Sequence, residues 1–250
     1  MRAKKNKVKR SYSYTFGIIF KYLLRGIYKI ENLRFFINND IAPLPLQSMF
    51  LFDMYEYHER ALIKKYIKED DSVLEFGGSI GVVACFTNKL LRENAKHVVV
   101  ECYPKNIGYI EKHRIHNECD FIIELSAISH SGRNVEIFKI NRTLSSGMLE
   151  SEESISCNES QNHCKVPGHS LNYYINQYGN FSALIVDIEG AEVFLLESER
   201  ELLTSFRIII IEFHPELIGN VQLQQIYIYL LSIGFSRKDK EGNVEVWKLD

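Results

Sequence analysis

Residues Val73 to Gly81 read VLEFGGSIG, and no other stretch limits the fold as tightly. A short apolar run (Val73, Leu74, Phe76) has the length of a buried strand; it stops at Gly77, Gly78 and Ser79, and a helical pattern begins at Ile80. Strand, glycine turn, helix is a unit of open α/β sheets. Glycines let the backbone bend and come close to a ligand, while the unpaired N–H groups that open the helix attract an anionic group. The stretch therefore predicts a nucleotide-like ligand at this turn. The plain alternative is a tight connection that binds nothing, since glycine pairs are common in turns.

Spacing narrows the choice of ligand. A dinucleotide site asks for G-x-G-x-x-G, and Ser79 stands where the second glycine belongs. What remains is Glu75, two positions before Gly77, with Gly78, Ser79 and Gly81 completing the turn. A carboxylate at the strand end suits a cofactor with a positive ammonium group, such as the methionine part of S-adenosylmethionine. Further on, His97-Val98-Val99-Val100-Glu101 reads as a second strand ending in an acid, 20 residues after Gly81. An acid there is placed to accept hydrogen bonds from both hydroxyls of an adenosine ribose, a device that NAD and S-adenosylmethionine enzymes share. Glu101, with Cys102 directly after it, joins the candidate cofactor residues. So do Ser126 and Ala127, at the end of a third strand over residues 120–125, where backbone and small side chains would grip an adenine ring.

The 250 residues, 46% of them hydrophobic, suffice for one core: a single α/β domain behind an N-terminal extension. A net charge of -2 hides an asymmetry. Met1 to Ile30 carries nine Lys or Arg and no acid, so of the totals of 30 and 32 the rest of the chain holds 21 basic and 32 acidic residues. An acidic body disfavours nucleic-acid binding. Arg2 to Arg10 reads as a disordered basic tail. Phe16, Ile19, Phe20, Leu23, Leu24 and Ile27 then fall at helical spacing, with Lys21, Arg25 and Lys29 on another face. Such a helix either packs on the body, the ordinary outcome for one apolar stripe, or lies peripherally on an anionic membrane surface. Charges interrupt the run too often for a membrane span or a secretory signal.

Five cysteines, with Cys85, Cys102 and Cys119 in or beside regular structure, point to reduced, cytoplasmic usage. Cys157, His163 and Cys164 lack the second ligand pair that zinc would need. The organisation expected is a basic tail and helical extension over 1–45 and a main domain over 46–250. Within the latter, the Ser-, Asn- and Glu-rich stretch 142–168 is read as a substrate lid. A helix expected from Met54 to Lys68 carries Glu56, His58 and Glu59, which could reach a substrate but are more simply read as a solvated face.

The second informative stretch is VDIEGAE, Val186 to Glu192. A fourth strand, Ala183 to Val186, discharges Asp187 and Glu189 at its carboxyl edge, and Glu192 falls in the next helix. A fifth strand, Arg207 to Ile211, brings Glu212 and His214 to the same edge, where ligands of open α/β sheets bind. Helix-capping roles account for some of these groups, but not for two adjacent strands that both end in polar clusters. A C-terminal hairpin turning at Glu241-Gly242-Asn243 completes the expected fold. It is a Rossmann-like seven-stranded sheet of methyltransferase type, in the order 3-2-1-4-5-7-6, with helices on both faces.

Together, EFGGSIG, the VVVE strand, VDIEGAE and IEFHP resemble the FkbM family of S-adenosylmethionine-dependent methyltransferases, over roughly Glu59 to His214. Where that family usually has acid-x-Gly-Ala-Asn-x-Gly, this chain has Gly78 and Ser79 for Ala and Asn; Ser170-Leu171-Asn172 replaces the family's Thr-Leu-Asp and loses its acid. The resemblance implies O-methylation, often of sugar hydroxyls on glycans, glycolipids or glycosylated metabolites. Such a reaction needs the acceptor oxygen held in line with the methyl group, and a group that takes the acceptor's proton. Asp187, Glu189 and His214 are the candidates, Asp187 also touching the cofactor; a carboxylate neighbour would raise the pKa of His214 and orient its ring. An oxygen-rich cluster also suits Mg²⁺, which would lower the acceptor's pKa, beside the simpler metal-free site. Two other readings stay open: an NAD-dependent oxidoreductase, and a non-catalytic membrane-associated module that keeps a vestigial pocket.

Overall fold

In the computed structural model, which describes residues 14–129, 135–139, 146–150, 157–158, 163–192, 195–196 and 200–250, the chain opens with a helix over residues 14–23 (α1). A tight hairpin follows, β1 (Ile27–Ile30) and β2 (Leu33–Phe36). Sequence periodicity carries the helix on to Ile27, but Arg25 (φ 55°) and Gly26 (φ 64°) adopt left-handed conformations and end it. Phe20 is buried, whereas Leu23 and Leu24, expected in the apolar stripe, are 76% and 42% exposed. The basic tail expected over Arg2 to Arg10 lies outside the described residues. Phe20, Tyr28, Leu33, Phe35 and Ile41 join the same apolar cluster as Leu62, Ile63 and Val73.

Helix α2 (Leu44–Leu51) starts directly after Pro43, with Pro45 in its first turn, where a missing N–H leaves no bond unmade. Helix α3 (Tyr57–Tyr66) is shorter than the expected Met54 to Lys68. Then come β3 (Val73–Phe76), α4 (Val82–Leu90), β4 (His97–Glu101), α5 (Pro104–His116) and β5 (Ile122–Leu125).

A side excursion holds β6 (Ala127–Ile128), β7 (Val135–Lys139), β8 (Ser146–Glu150), β9 (Cys157–Asn158), β10 (His163–Val166) and β11 (Gly168–His169). Four of these pair antiparallel in the order β8-β7-β10-β9. The stretch 142–168, expected to be irregular, therefore contains strands; its residues 142–145, 151–156 and 159–162 lie outside the described residues.

The chain then returns to the main sheet through α6 (Leu171–Tyr178), β12 (Ala183–Val186), α7 (Arg200–Leu203), β13 (Ile208–Glu212), α8 (Pro215–Ile218) and α9 (Asn220–Ser232). It closes on the hairpin β14 (Phe235–Glu241) and β15 (Val244–Leu249). Seven strands lie in the order β5-β4-β3-β12-β13-β15-β14, parallel except that β15 is antiparallel to both its neighbours. Numbered by their sequence in the chain, that order is 3-2-1-4-5-7-6.

β3, β12 and the first four residues of β13 are buried throughout, as strands covered on both faces must be. Val73, Ile185 and Ile210 face a cluster with α3 and α4; Phe76, Leu184 and Ile209 face a second with α6 and α9. At the amino ends of the central strands, Asp71 accepts hydrogen bonds from Ser182 Oγ (2.7 Å) and from the Arg207 guanidinium, tying three stretches of chain together. Strand order reverses between β3 and β12, and the carboxyl ends of these two strands frame the functional site.

Candidate active site

At the end of β3, Gly77 takes a left-handed φ of 98°, and its N–H donates to the Val100 carbonyl at 2.9 Å. A side chain on Gly77 would strike the Asp187 carbonyl oxygen, and one on Gly78 would press on Val99 and Ile110. These glycines let three backbone segments meet at one point. The Ser79 N–H donates to Glu101 Oε2 (2.6 Å), and the Tyr103 N–H to Glu101 Oε1 (2.7 Å). Burial pushes the Glu101 pKa up to about 7 in spite of these donors. Ser79 Oγ shares a hydrogen bond with the Tyr55 hydroxyl (3.1 Å).

Above this turn opens a cavity of about 410 Å³, within the usual range for small-molecule sites. Gly77, Ser79, Glu101, Cys102, Ser126 and Ala127 line one side; Asp187, Glu189, Glu212 and His214 line the other. Ser126 is fixed by a 2.9 Å hydrogen bond between its Oγ and the Tyr174 hydroxyl. Gly78 and Gly81 are not on the cavity wall; Gly81 (φ 84°) caps α4 beneath it.

Glu75 is absent from the wall as well, and here the structure corrects the sequence reading. It is level with Ile185 and Val99, which face α3 and α4, and side chains alternate along a strand, so Phe76 reaches the cavity and Glu75 does not. Glu75 is instead buried, with Oε2 3.2 Å from His97 Nε2.

The acidic side is built around His214, which sits at the N-cap position of α8. Its Nδ1 lies 2.9 Å from Glu192 Oε1, and Glu192, fully buried, also accepts the Gly190 N–H. Its Nε2 lies 3.3 Å from Glu189 Oε2 and 3.7 Å from Asp187 Oδ1. Burial alone would lower the His214 pKa; the Glu192 hydrogen bond and the charges of Asp187, Glu192 and Glu189 override it and raise it to about 9. Burial, then the neighbouring charge of Glu212, pushes the Asp187 carboxyl well above its usual range. Glu189 takes a left-handed φ of 49°, a backbone strain of the kind that gathers at functional sites.

Three residues read mainly as a solvated face belong to the site. Glu56, His58 and Glu59 all line the cavity from α3 and its N-cap, and Glu59 is only 4% exposed. Burial raises the pKa of Glu56 to about 8 and that of Glu59 well above the usual range. A signal was present, because Glu59 falls at the same helical spacing as Leu62, Ile63 and Tyr66, on the buried stripe.

A model of the methyltransferase FkbM domain matches residues 25–237 of this chain. The chain belongs to the FkbM methyltransferase family. The FkbM match takes in the β1–β2 hairpin, and it sets aside both the oxidoreductase and the non-catalytic readings. This FkbM protein is an S-adenosylmethionine-dependent methyltransferase.

No curated protein matches its sequence. Among solved structures it is similar to a precorrin-6y C5,15-methyltransferase from Geobacter metallireducens, at 10% identity and a TM-score of 0.45, over 75% of this chain and 84% of that one. It is also similar to Aeropyrum pernix fibrillarin in complex with S-adenosyl-L-methionine (11%, TM-score 0.46, 76% and 73%). A third is an O-methyltransferase from Bacillus cereus in complex with SAH (12%, TM-score 0.45, 75% and 76%). Likeness at this level says nothing about the acceptor.

Proposed function

We propose that this FkbM enzyme methylates a hydroxyl of a sugar carried on a glycan or glycolipid. The observation behind the reading is that one cavity is lined both by the glycine turn with Glu101 and by the cluster of Asp187, Glu189 and His214. The residues present fit S-adenosylmethionine. Glu101 lines the cavity with its carboxylate held by the Ser79 and Tyr103 N–H groups, in place to meet a ribose hydroxyl, Cys102, Ser126 and Ala127 offer small surfaces for an adenine, and a side chain at Gly77 would close the turn. When bound, the cofactor supplies an electrophilic methyl group on its sulfonium.

The chain's task is then to place the acceptor and remove its proton. A histidine with its pKa near 9 is an imidazolium at neutral pH, so His214 holds and orients carboxylates rather than accepting the proton. Glu189, 3.3 Å from that ring and open to the cavity, is our choice of proton acceptor, with Asp187 and His214 as positioning groups. Glu56, Glu59 and Glu212 offer further acceptors to sugar hydroxyls, while Met49, Phe50 and Met54 provide an apolar flank.

Calorimetric titration with S-adenosylhomocysteine, repeated on Glu101→Ala, tests the cofactor half; transfer of labelled methyl to a panel of sugar acceptors tests the other. Absence of binding heat for the wild type would sink the reading.

We further propose that α1 rests on an anionic membrane surface. Ile18, Tyr22, Leu23 and Leu24 are exposed beside Lys21 and Arg25, within a segment that has no acidic residue. Phe16 packs edge-on against Phe52 (4.8 Å), next to the cavity-lining α2 and Met54. Among the described residues no helix is long and apolar enough to cross a membrane.

A further inference from the structure

We propose that Asp187, Glu212 and His214 form a divalent-cation site in the wall of the cavity, an inference that rests on the methyltransferase reading for its purpose but not for its binding test. One ligand atom from each residue lies within 4.8 Å of the others. That spread is close to twice a metal–oxygen bond of about 2.1–2.4 Å, so one ion between them needs only small inward shifts.

The histidine is set up as a ligand. Fully buried Glu192 accepts the proton on Nδ1, which leaves Nε2 as the ring atom available to an ion; its own proton leaves when a metal binds. Nε2 faces oxygens of Glu189 at 3.3 Å and Asp187 at 3.7 Å. A divalent ion taking the place of the Nε2 proton would keep ring and carboxylates together. A carboxylate behind an imidazole is the arrangement that orients metal-bound histidines.

A separate observation is a buried acidic side chain without a partner among the described residues. Glu59, 4% exposed and on the same cavity wall, accepts no hydrogen bond from the described residues, and the charges acting most strongly on it are those of Asp187, Glu56, Glu75 and Glu212. Asp187 Oδ1 is sealed from solvent without a hydrogen-bond partner. One imidazole with hard carboxylate oxygens suits Mn²⁺ or Mg²⁺ better than a thiophilic metal. There the ion would bind the acceptor oxygen and lower its pKa, leaving Glu189 to take the proton.

The test uses the full-length, chelator-treated protein titrated with MnCl₂ and followed by electron paramagnetic resonance, with S-adenosylhomocysteine calorimetry in parallel. The expected result is one Mn²⁺ per chain with spin-echo modulation from an imidazole nitrogen, and binding at least about tenfold weaker in Glu212→Gln. The nitrogen signal needs no variant, so a misfolded Glu212→Gln does not blunt the test. Protein that takes up S-adenosylhomocysteine but no Mn²⁺ overturns the cation site and leaves the methyltransferase reading standing. Mn²⁺ bound without nitrogen coupling, and unchanged in Glu212→Gln, also overturns it. Mn²⁺ bound with nitrogen coupling, but no heat from S-adenosylhomocysteine, supports the cation site and removes the cofactor reading.

Discussion

Glu101 titrates near neutrality because burial opposes its charge, and its proposed role needs that charge. As pH rises from about 6 to about 8 through its raised pKa, the carboxylate forms and affinity for S-adenosylhomocysteine should climb. Glu101→Gln should flatten this dependence and, having lost charge-assisted hydrogen bonds worth about 1.5–3 kcal/mol, bind about 10- to 100-fold more weakly at pH 8. A pH-independent wild type would contradict the assignment. Gly77→Ala should cost about 1–3 kcal/mol in backbone strain alone, before its collision with the Asp187 carbonyl. Denaturant unfolding and cofactor titration should both register it. At this scale the residues that end strands were legible, since an apolar run followed by an acid fixes where the acid must sit. Glu75 was not, because one step along a strand reverses the face, and Glu59 was not, because a carboxylate on an apolar stripe was read as solvated.

The central strands are joined at their amino ends through Asp71, Ser182 and Arg207, far from the cavity. Burial would raise the Asp71 pKa, but hydrogen bonds from Arg207, the Lys68 N–H and Ser182 bring it below its usual value. A carboxyl lowered on folding stabilises the protein above its unfolded pKa and loses that contribution as pH falls through the folded value. Asp71→Asn should therefore destabilise by about 1–3 kcal/mol at pH 7, and urea melts should show the gap to wild type narrowing towards pH 3. The five parallel strands and the terminal hairpin could be read from apolar runs bounded by turn residues. Of the small sheet, β7 could be read as well, since residues 134–140 alternate and predict an antiparallel strand; the hairpin β1–β2 and the strands β8–β10 could not, because they lack a clear period and owe their form to their partners.

Across the whole molecule, basic charge is gathered at one end and acidic charge elsewhere. Full-length protein should float with anionic vesicles and less so with neutral ones, and binding should weaken as salt is added. Leu23→Glu should abolish flotation without lowering thermal stability, since that side chain is 76% exposed. Unchanged flotation would rule out α1 as the contact. The cavity described above has three makers: β3, β4 and the turns after them supply the wall beside Glu101, the ends of β12 and β13 supply Asp187, Glu189, Glu212 and His214, and α2, α3 and their junction supply Met49, Phe50, Met54, Glu56 and Glu59. In the proposed function, donor recognition and much of acceptor choice would then be written in separate passages of the gene. Transplanting residues 44–66 from a relative should hand over that relative's taste in alcohols while leaving the appetite for the methyl donor intact.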